Sequence, residues 1–293
     1  MGWQSLRRSP RTAAGAILVG AVTLLAVAGI EWGDPPRSLL SRTILNHLPT
    51  LPDREVMPPS SPDEQHLLGT DSLGRDLLSR LLHGAKVSLA VGVFAESVAL
   101  LLGVAVGVAA GASGGRTDAL LMRFTDLLLA FPVPLLAMGA MAVFESRDLT
   151  LVFLVLGLMG WGGIARLVRA EVLSLRERAF AEAARALGAR GGRVAFRHLL
   201  PNAMAPAIVA ATVGIAGNIL TEAWLSFLGL GAQPPTSSWG SMISDAQSFL
   251  TTQPRLCLYP GIALALTVAG FMLLGDGLRE SLNPRSRRAT LAA

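Results

Sequence analysis

Charged residues are scarce in this sequence of 293 residues. Only 15% of them are charged, whereas 52% are hydrophobic and the mean hydropathy is +0.52. Soluble globular chains carry roughly 25% charged residues, so this one has too few to cover a surface that faces water. The composition argues against a soluble enzyme, a disordered regulator and a nucleic-acid-binding domain, and it indicates a membrane protein.

Cysteines are nearly absent, and clustered metal ligands are missing. Cys257 is the only cysteine, so no internal disulfide can form. The four histidines lie far apart in the sequence, and no HExxH, CxxC or P-loop spacing appears. The sequence therefore gives no reason to expect a metal site, a bound cofactor or nucleotide binding, and it identifies no catalytic residue.

Six apolar stretches are long enough to cross a membrane, which takes about 20 residues. The predicted spans are 12–30, 87–110, 119–143, 149–165, 202–230 and 256–274. We expect the fourth helix to continue past the bilayer into a charged stretch. The sequence thus predicts an all-α integral membrane protein with six transmembrane helices.

The first span has a second interpretation, as a cleaved signal peptide. Three arginines precede it, and the Ala-Val-Ala segment at 26–28 resembles a cleavage site. The apolar region of a signal peptide usually has about 7–15 residues, and this stretch is longer. We therefore favour a retained membrane anchor.

The distribution of Lys and Arg predicts the orientation of the chain. If the N-terminus is cytoplasmic, 17 of the 25 basic residues fall on the cytoplasmic side. Cytoplasmic loops carry an excess of Lys and Arg, so both termini are predicted to be cytoplasmic. Orientation thereby explains the net charge of +5, and no nucleic acid partner is needed.

The segment 166–201 between spans four and five is basic and has a helical pattern. It contains eight arginines, and its apolar residues recur at the spacing of one helical face: Val172, Leu175, Ala179, Phe180, Ala183 and Leu187. Gly188 follows, where helices commonly end in a left-handed cap. A second short helix is predicted at 193–200, with Pro201 opening the fifth span. Such an element can lie on anionic lipid or on the span ends, or dock a cytosolic partner.

The segment Glu182-Ala183-Ala184 is followed by Gly188 and then by Pro201. This order resembles the EAA loop of permease subunits from ATP-binding-cassette importers. His198 stands where the general pattern has isoleucine, but the run Phe-Arg-His-Leu-Leu-Pro-Asn-Ala at 196–203 is similar to the peptide and nickel branch of that family.

Further segments resemble the C-type subunits of the same branch, and they occur in the expected order. These segments are 69–76 with 79–80, 221–231, 233–235 with 238–240, and 274–279 with 283–285. Asn283 replaces the usual aspartate. The resemblance covers about 67–285, which is most of the chain.

The resemblance implies a type I ABC importer permease fold in the bacterial inner membrane, without ATPase activity of its own. It implies as partners a second, B-type permease subunit, two cytosolic ATP-binding-cassette ATPases and an extracytoplasmic solute-binding protein, within membrane lipid. Glu182, Ala183, Ala184, Gly188 and Pro201 would couple the chain to an ATPase. The implied cargo is dipeptides or oligopeptides, with nickel or another small solute as the alternative.

Three acidic residues fall within predicted spans: Glu96, Asp126 and Glu222. Charges buried in lipid are costly and usually functional. Asp126 follows Arg123 by three residues, a spacing that permits a local ion pair and favours a structural role. For Glu96 and Glu222, structural pairing and lining of the pathway or a gate are alternatives, and Trp224 and Phe227 beside Glu222 are candidates for the same pathway role.

We divide the chain into four parts. They are the cytoplasmic N-terminus and first helix at 1–30, an external loop at 31–86, a five-helix core at 87–285 that includes the coupling loop 166–201, and a tail at 286–293. Residues 76–86 are predicted to form a short helix leading into span two. The external loop is expected to face the binding protein or to pack on the partner permease.

Three other kinds of membrane protein are weaker interpretations of the sequence. A secondary transporter usually shows inverted repeats, and no convincing repeat is present. A membrane enzyme needs a nucleophile with a base, or paired acids, at membrane depth, and no such motif appears. A plain channel leaves the arginine-rich loop without a role.

Overall fold

A computed structural model of the chain describes residues 10–28, 31–32, 37–38, 50–53, 58–144 and 149–282. Most of these residues are helical. The helices are α1 (Pro10–Ala28), α2 (Leu77–Ser113), α3 (Gly115–Leu129), α4 (Val133–Phe144), α5 (Leu149–Arg176), α6 (Ala179–Ala186), α7 (Gly191–Val194), α8 (Leu200–Phe227), α9 (Trp239–Asp245) and α10 (Arg255–Leu282). A π-helical turn, Ala195–Leu199, precedes α8, and a 3-10 turn, Gln247–Phe249, follows α9. Strands β1 (Glu31–Trp32) and β2 (Arg37–Ser38) form a small antiparallel pair with Glu31 opposite Ser38.

Among the described residues, five helices are long and apolar enough to cross a membrane. They are α1, α2, α5, α8 with the turns before it, and α10. The third predicted span is broken into α3 and α4, which are bent by 81°. The expectation of one continuous helix was wrong, because Pro132 lacks an N–H and disfavours helical geometry at the residue before it. Counted as one bent span, the pair raises the number of spans to six.

Helices α2 and α5 are both longer than the bilayer requires. Helix α2 has 37 residues, about 55 Å at 1.5 Å per residue, against a hydrocarbon core of roughly 30 Å. It absorbs the short helix predicted at 76–86, and Asp76 caps its start by accepting a hydrogen bond of 2.7 Å from the Ser79 N–H. Helix α5 continues to Arg176, which confirms the expected extension into the charged stretch.

Helices α2 and α5 make the most extensive helix–helix contact among the described residues. Three glycines spaced four residues apart on α2 face branched side chains of α5: Gly103 meets Ile164, Gly107 meets Val168 and Gly111 meets Val172. A Cβ atom at any of these glycines would lie 2.8 Å or less from the facing side chain. Small residues let helix backbones approach closely, which is how membrane helices gain packing energy.

Helix α1 packs against α10 and enters the core. A Cβ at Gly15 would lie 2.5 Å from the Leu274 nitrogen, so the two helices cross at close range. Val22 and Ala26 are buried in one cluster with Phe271. The helix that the sequence predicts as a retained anchor is therefore part of the packed bundle.

Several sequence predictions concern residues outside the described ranges. The segment 283–285, which carries part of the family resemblance, and the tail 286–293 belong to this group, as do residues 1–9 and much of the external loop.

Candidate functional site

The arginine-rich loop forms two short helices at one end of the bundle, which we call the arginine-rich end. The apolar stripe predicted to run along one helix is divided between two. Val172 and Leu175 lie on α5 and are buried, whereas Phe180 is 40% exposed and Leu187 is 89% exposed. The prediction of a single face was wrong because α5 ends at Arg176 and the chain turns before α6 begins.

Gly188 ends helix α6 in the predicted left-handed cap. Its φ is +81°, and its N–H donates to the Arg185 carbonyl over 2.9 Å. The next N–H, of Ala189, donates to the Ala184 carbonyl over 3.0 Å. These two bonds satisfy carbonyls that a helix end leaves unpaired, and the positive φ favours glycine.

Three of the predicted coupling residues lie on α6, and two of them face away from the bundle. Glu182 and Ala183 are exposed, and Ala184 is half-buried. Ala181 is the residue that α6 buries, and Arg185 donates a hydrogen bond of 2.8 Å to the Arg176 carbonyl at the end of α5. Within the described residues, the Glu182 carboxylate makes no ion pair or hydrogen bond, so it is available at the surface.

The chain runs without a break from the second short helix into the fifth span. The prediction placed a separate helix at 193–200, whereas α7 leads through the π-helical turn directly into α8. Pro201 lies in the first turn of α8, as predicted, and the Asn202 amide donates to the His198 carbonyl over 2.7 Å. Phe196 in the π-helical turn is 69% exposed.

Two ion pairs join α3 to α5 near the arginine-rich end. Arg166 Nη2 lies 2.5 Å from Asp126 Oδ1, and Arg169 Nη2 donates to Asp118 Oδ2 over 2.6 Å. The local partner suggested for Asp126, Arg123, was therefore wrong. Packing of α3 on α5 supplies a partner that sequence spacing along one helix does not reveal.

Glu96 lies where α2 crosses α8. The Asn218 side-chain amide donates to Glu96 Oε2 over 2.8 Å, and 7% of the residue is exposed. A Cβ at Gly214 would lie 2.4 Å from the carboxylate atoms, so the glycine makes room for this side chain.

Glu222 is fully buried in a network of serine hydroxyls. Ser226 Oγ donates to Glu222 Oε1 over 2.6 Å, and Ser88 Oγ donates to Oε2 over 3.2 Å. Ser238 at the start of α9 bonds to Ser226 in turn, so the network connects α2, α8 and α9. Trp224 and Phe227, which the sequence placed near Glu222, are instead about 40% exposed.

Four charged residues form a cluster at the opposite end of the bundle, which we call the distal charge cluster: Asp71, Arg75, Arg80 and Asp245. Asp71 is buried and binds both arginines, with 2.7 Å to Arg75 Nε. Asp245 Oδ2 lies 3.1 Å from Arg80 Nη2 and 3.4 Å from Arg75 Nη2. In the sequence, Asp71, Arg75 and Arg80 stand out only as part of a segment that resembles a family signature, and no sequence signal points to Asp245.

His66 is buried beside this cluster, between two carboxylates. Its Nδ1 lies 2.9 Å from Asp76 Oδ2, and its Nε2 lies 3.4 Å from Asp53 Oδ2. Burial by itself lowers the pKa of His66, but the hydrogen bonds to Asp76 and Asp53 outweigh it and raise the pKa above its ordinary value. No motif or spacing in the sequence marks this histidine.

No group of three or more His, Cys, Asp or Glu side chains in the part of the chain that the structure describes is arranged to hold a metal ion. The prediction that the chain has no metal site remains a prediction.

The sequence matches a known protein family and several characterised relatives. Residues 103–288 match the family described as binding-protein-dependent transport system inner membrane component. The chain is 38% identical over 285 residues to a dipeptide transport system permease protein of Alkalihalophilus pseudofirmus. This match covers 97% of the chain and 89% of the relative. It is 42% identical over 224 residues to a glutathione transport system permease protein of Pectobacterium atrosepticum, covering 76% and 74% of the two chains. An oligopeptide transport system permease protein of Bacillus subtilis is 40% identical over 227 residues, covering 78% and 74%.

Proposed function

Because the chain belongs to the family of binding-protein-dependent transport system inner membrane components, we propose that it is one permease subunit of an ATP-driven importer of dipeptides or oligopeptides. It is a multi-pass membrane protein. The names of its relatives support a peptide cargo, since they transport dipeptides, glutathione and oligopeptides. Nickel or another small solute remains the alternative cargo.

The observation that carries the proposal is the position of α6 between two spanning helices. A two-residue turn and the Arg185–Arg176 bond attach α6 to α5. On its other side, α7 and the π-helical turn lead directly into α8. A force applied to α6 therefore acts on both spanning helices, which is what the transfer of work from a separate ATPase to a membrane pathway requires.

Large apolar side chains are exposed on this loop, as at a docking surface. Phe180, Leu187 and Phe196 are 40%, 89% and 69% exposed, respectively, and Glu182 is exposed on the same short helix as Phe180. Exposed apolar side chains beside polar ones mark interaction sites. The ATPase is proposed to cover them, with Glu182, Ala183, Ala184 and Gly188 shaping the contact and Pro201 starting the span that moves.

The rest of the assembly follows from this role. The second half of the pathway comes from a B-type permease, ATP is hydrolysed by two cytosolic ATPases, and a solute-binding protein delivers the cargo from outside. Both termini and the coupling loop 166–201 lie in the cytoplasm, the external loop 31–86 faces the binding protein or the partner permease, and residues 87–285 form the permease core. Glu96, Glu222, Trp224 and Phe227 are the proposed pathway or gate residues.

The proposal is tested by purifying the tagged chain from its own membranes and reconstituting the complex in liposomes with its binding protein. We expect a second permease and P-loop ATPases to co-purify, and labelled dialanine to accumulate only with hydrolysable ATP. Glu182→Gln should reduce both the recovered ATPase and the uptake, whereas Glu64→Gln, at an exposed acid at the opposite end, should leave the recovered ATPase unchanged. A homo-oligomer without any ATPase would contradict the proposal and favour a stand-alone transporter or a channel.

A further inference from the structure

We propose that Glu96 binds the primary ammonium group of the transported peptide inside the membrane. The inference rests on the proposed function, because it takes a peptide with a free amino terminus as the cargo. It goes further by assigning a ligand group to one side chain.

Glu96 occupies the middle of helix α2, whose apolar part is long enough to cross a membrane. It is 19 residues from the start of α2 at Leu77 and 17 residues from the end at Ser113. The facing Gly214 is similarly central in α8. An ionisable group at this depth is costly, and such residues usually face a polar pathway or have a specific partner.

The partners of Glu96 leave its charge without compensation. Asn218 donates one hydrogen bond to Oε2, and Oε1 receives none from the residues that the structure describes. By contrast, Asp118 and Asp126 pair with arginines of α5. Within the described ranges, no Lys, Arg or His forms a hydrogen bond or an ion pair with Glu96. A carboxylate in this setting gains more from a cationic ligand than a paired one does, because a buried charge without a partner pays a large desolvation cost.

The Glu96 carboxylate is fixed in position close to the surface of the chain. Gly214 provides the space that the carboxylate fills, and Asn218 fixes its orientation. Glu96 itself is buried, but the neighbouring residues Ser97 on α2 and Gly217 on α8 are exposed, so the crossing lies near the surface of the chain. Glu222 differs, since it is fully buried and serines donate to both of its oxygens.

An ammonium group fits this site better than a calcium ion does. The site offers one carboxylate and one amide, fewer oxygen ligands than the six to eight of calcium. An ammonium group carries one positive charge and three N–H donors, of which Glu96 can accept one or two. Every peptide with a free amino terminus carries this group, so one residue can serve cargoes of different sequence.

The experiment compares Glu96→Gln with Asn218→Ala in the reconstituted complex. Glutamine has the same shape and can still accept the bond from Asn218, so it removes the charge and keeps the link between helices. Alanine at 218 removes that link and keeps the charge. The readouts are the maximal rate of dialanine uptake, the ATPase rate and the melting temperature of the complex, with the binding protein saturated.

We expect Glu96→Gln to lower the uptake rate about tenfold, the usual effect of losing one charge-assisted contact, without lowering the melting temperature. Asn218→Ala should lower the melting temperature and keep most of the uptake. The proposal is overturned if Glu96→Gln transports within about twofold of the wild type, and also if only Asn218→Ala impairs uptake, which is the pattern of a purely structural bond. Failure of the wild-type complex to transport any peptide would instead overturn the proposed function, and this inference with it.

Discussion

Asp245 Oδ2 lies 3.1 Å from Arg80 Nη2, although 165 residues separate the two in sequence. Asp245 ends helix α9, whereas Arg80 lies in the first turns of α2. The same carboxylate oxygen also reaches Arg75, and Asp71 binds both arginines from the buried side. The distal charge cluster thus joins two segments that most of the chain separates.

The two aspartates of this cluster should differ in their contribution to stability. Asp71 is buried between two buried arginines, so Asp71→Asn should lower the free energy of unfolding by about 3–5 kcal/mol, the usual cost of breaking a buried pair. The side chain of Asp245 is 45% exposed, and Asp245→Asn should cost about 1 kcal/mol or less. Denaturant unfolding of the purified protein in detergent measures both values. Equal losses would mean that burial does not set the strength of these pairs.

The end of the bundle that carries the distal charge cluster also contains His66. Its stability should depend on pH. Because the folded protein raises the pKa of His66 through Asp76 and Asp53, the protonated form is the stabilising one. Its contribution is complete below the ordinary histidine pKa of about 6.5 and is lost as the pH rises through the raised pKa of the folded state. The melting temperature, measured from pH 5 to pH 9, should fall over that interval. The His66→Gln variant should show a smaller fall, and an identical profile in both proteins would exclude His66 as the cause.

Replacement of Gly188 by a residue with a side chain is expected to impair coupling, because the backbone there has a positive φ. A Cβ there would meet no atom within 4 Å, so no clash contributes, but φ of +81° strains other residues by about 1–2 kcal/mol. Gly188→Val should therefore distort the end of α6 and uncouple ATP hydrolysis from uptake. Gly188→Asn should be milder, since asparagine tolerates this conformation. The ratio of peptide transported to ATP hydrolysed in proteoliposomes is the measurement.

Gly192 provides the matched control for that series. It has no positive φ, and a Cβ there would also meet no atom within 4 Å. Gly192→Ala should leave the ratio unchanged. A loss as large as that of Gly188→Val would show that the loop tolerates no added side chain. Strain at the Gly188 cap would then not be the cause.

Leu187 should contribute to ATPase binding and almost nothing to folding. It is 89% exposed, so Leu187→Ala removes little burial within the chain. If the ATPase covers it, truncation should weaken the affinity about tenfold, in the range of interface anchors. Leu73→Ala, at a leucine that is 60% exposed at the opposite end, is the control and should bind as the wild type does. Unchanged binding of Leu187→Ala in a titration with purified ATPase would place the contact elsewhere.

Local sequence patterns predicted the features that depend on neighbours along the chain. The extension of α5 to Arg176 and the left-handed cap at Gly188 were both confirmed. Each depends on a few consecutive residues, since apolar runs and glycine caps act over one or two helical turns. The break at Pro132 was not predicted. The third span was predicted from the length of its apolar run, and that length does not show that a single proline interrupts the helix.

The sequence by itself determined the membrane class, the approximate spans and the family, because composition and motif order are properties of the chain read in one dimension. Only the tertiary structure decided that Asp126 pairs with Arg166, that Asp245 joins the distal charge cluster, and that Glu96 meets Asn218. These contacts connect residues on different helices, and their partners follow from the angle and register at which the helices cross. At the crossing of α2 and α8, for example, Gly214 leaves the space that Glu96 fills, and periodicity along one helix carries no information about such a crossing.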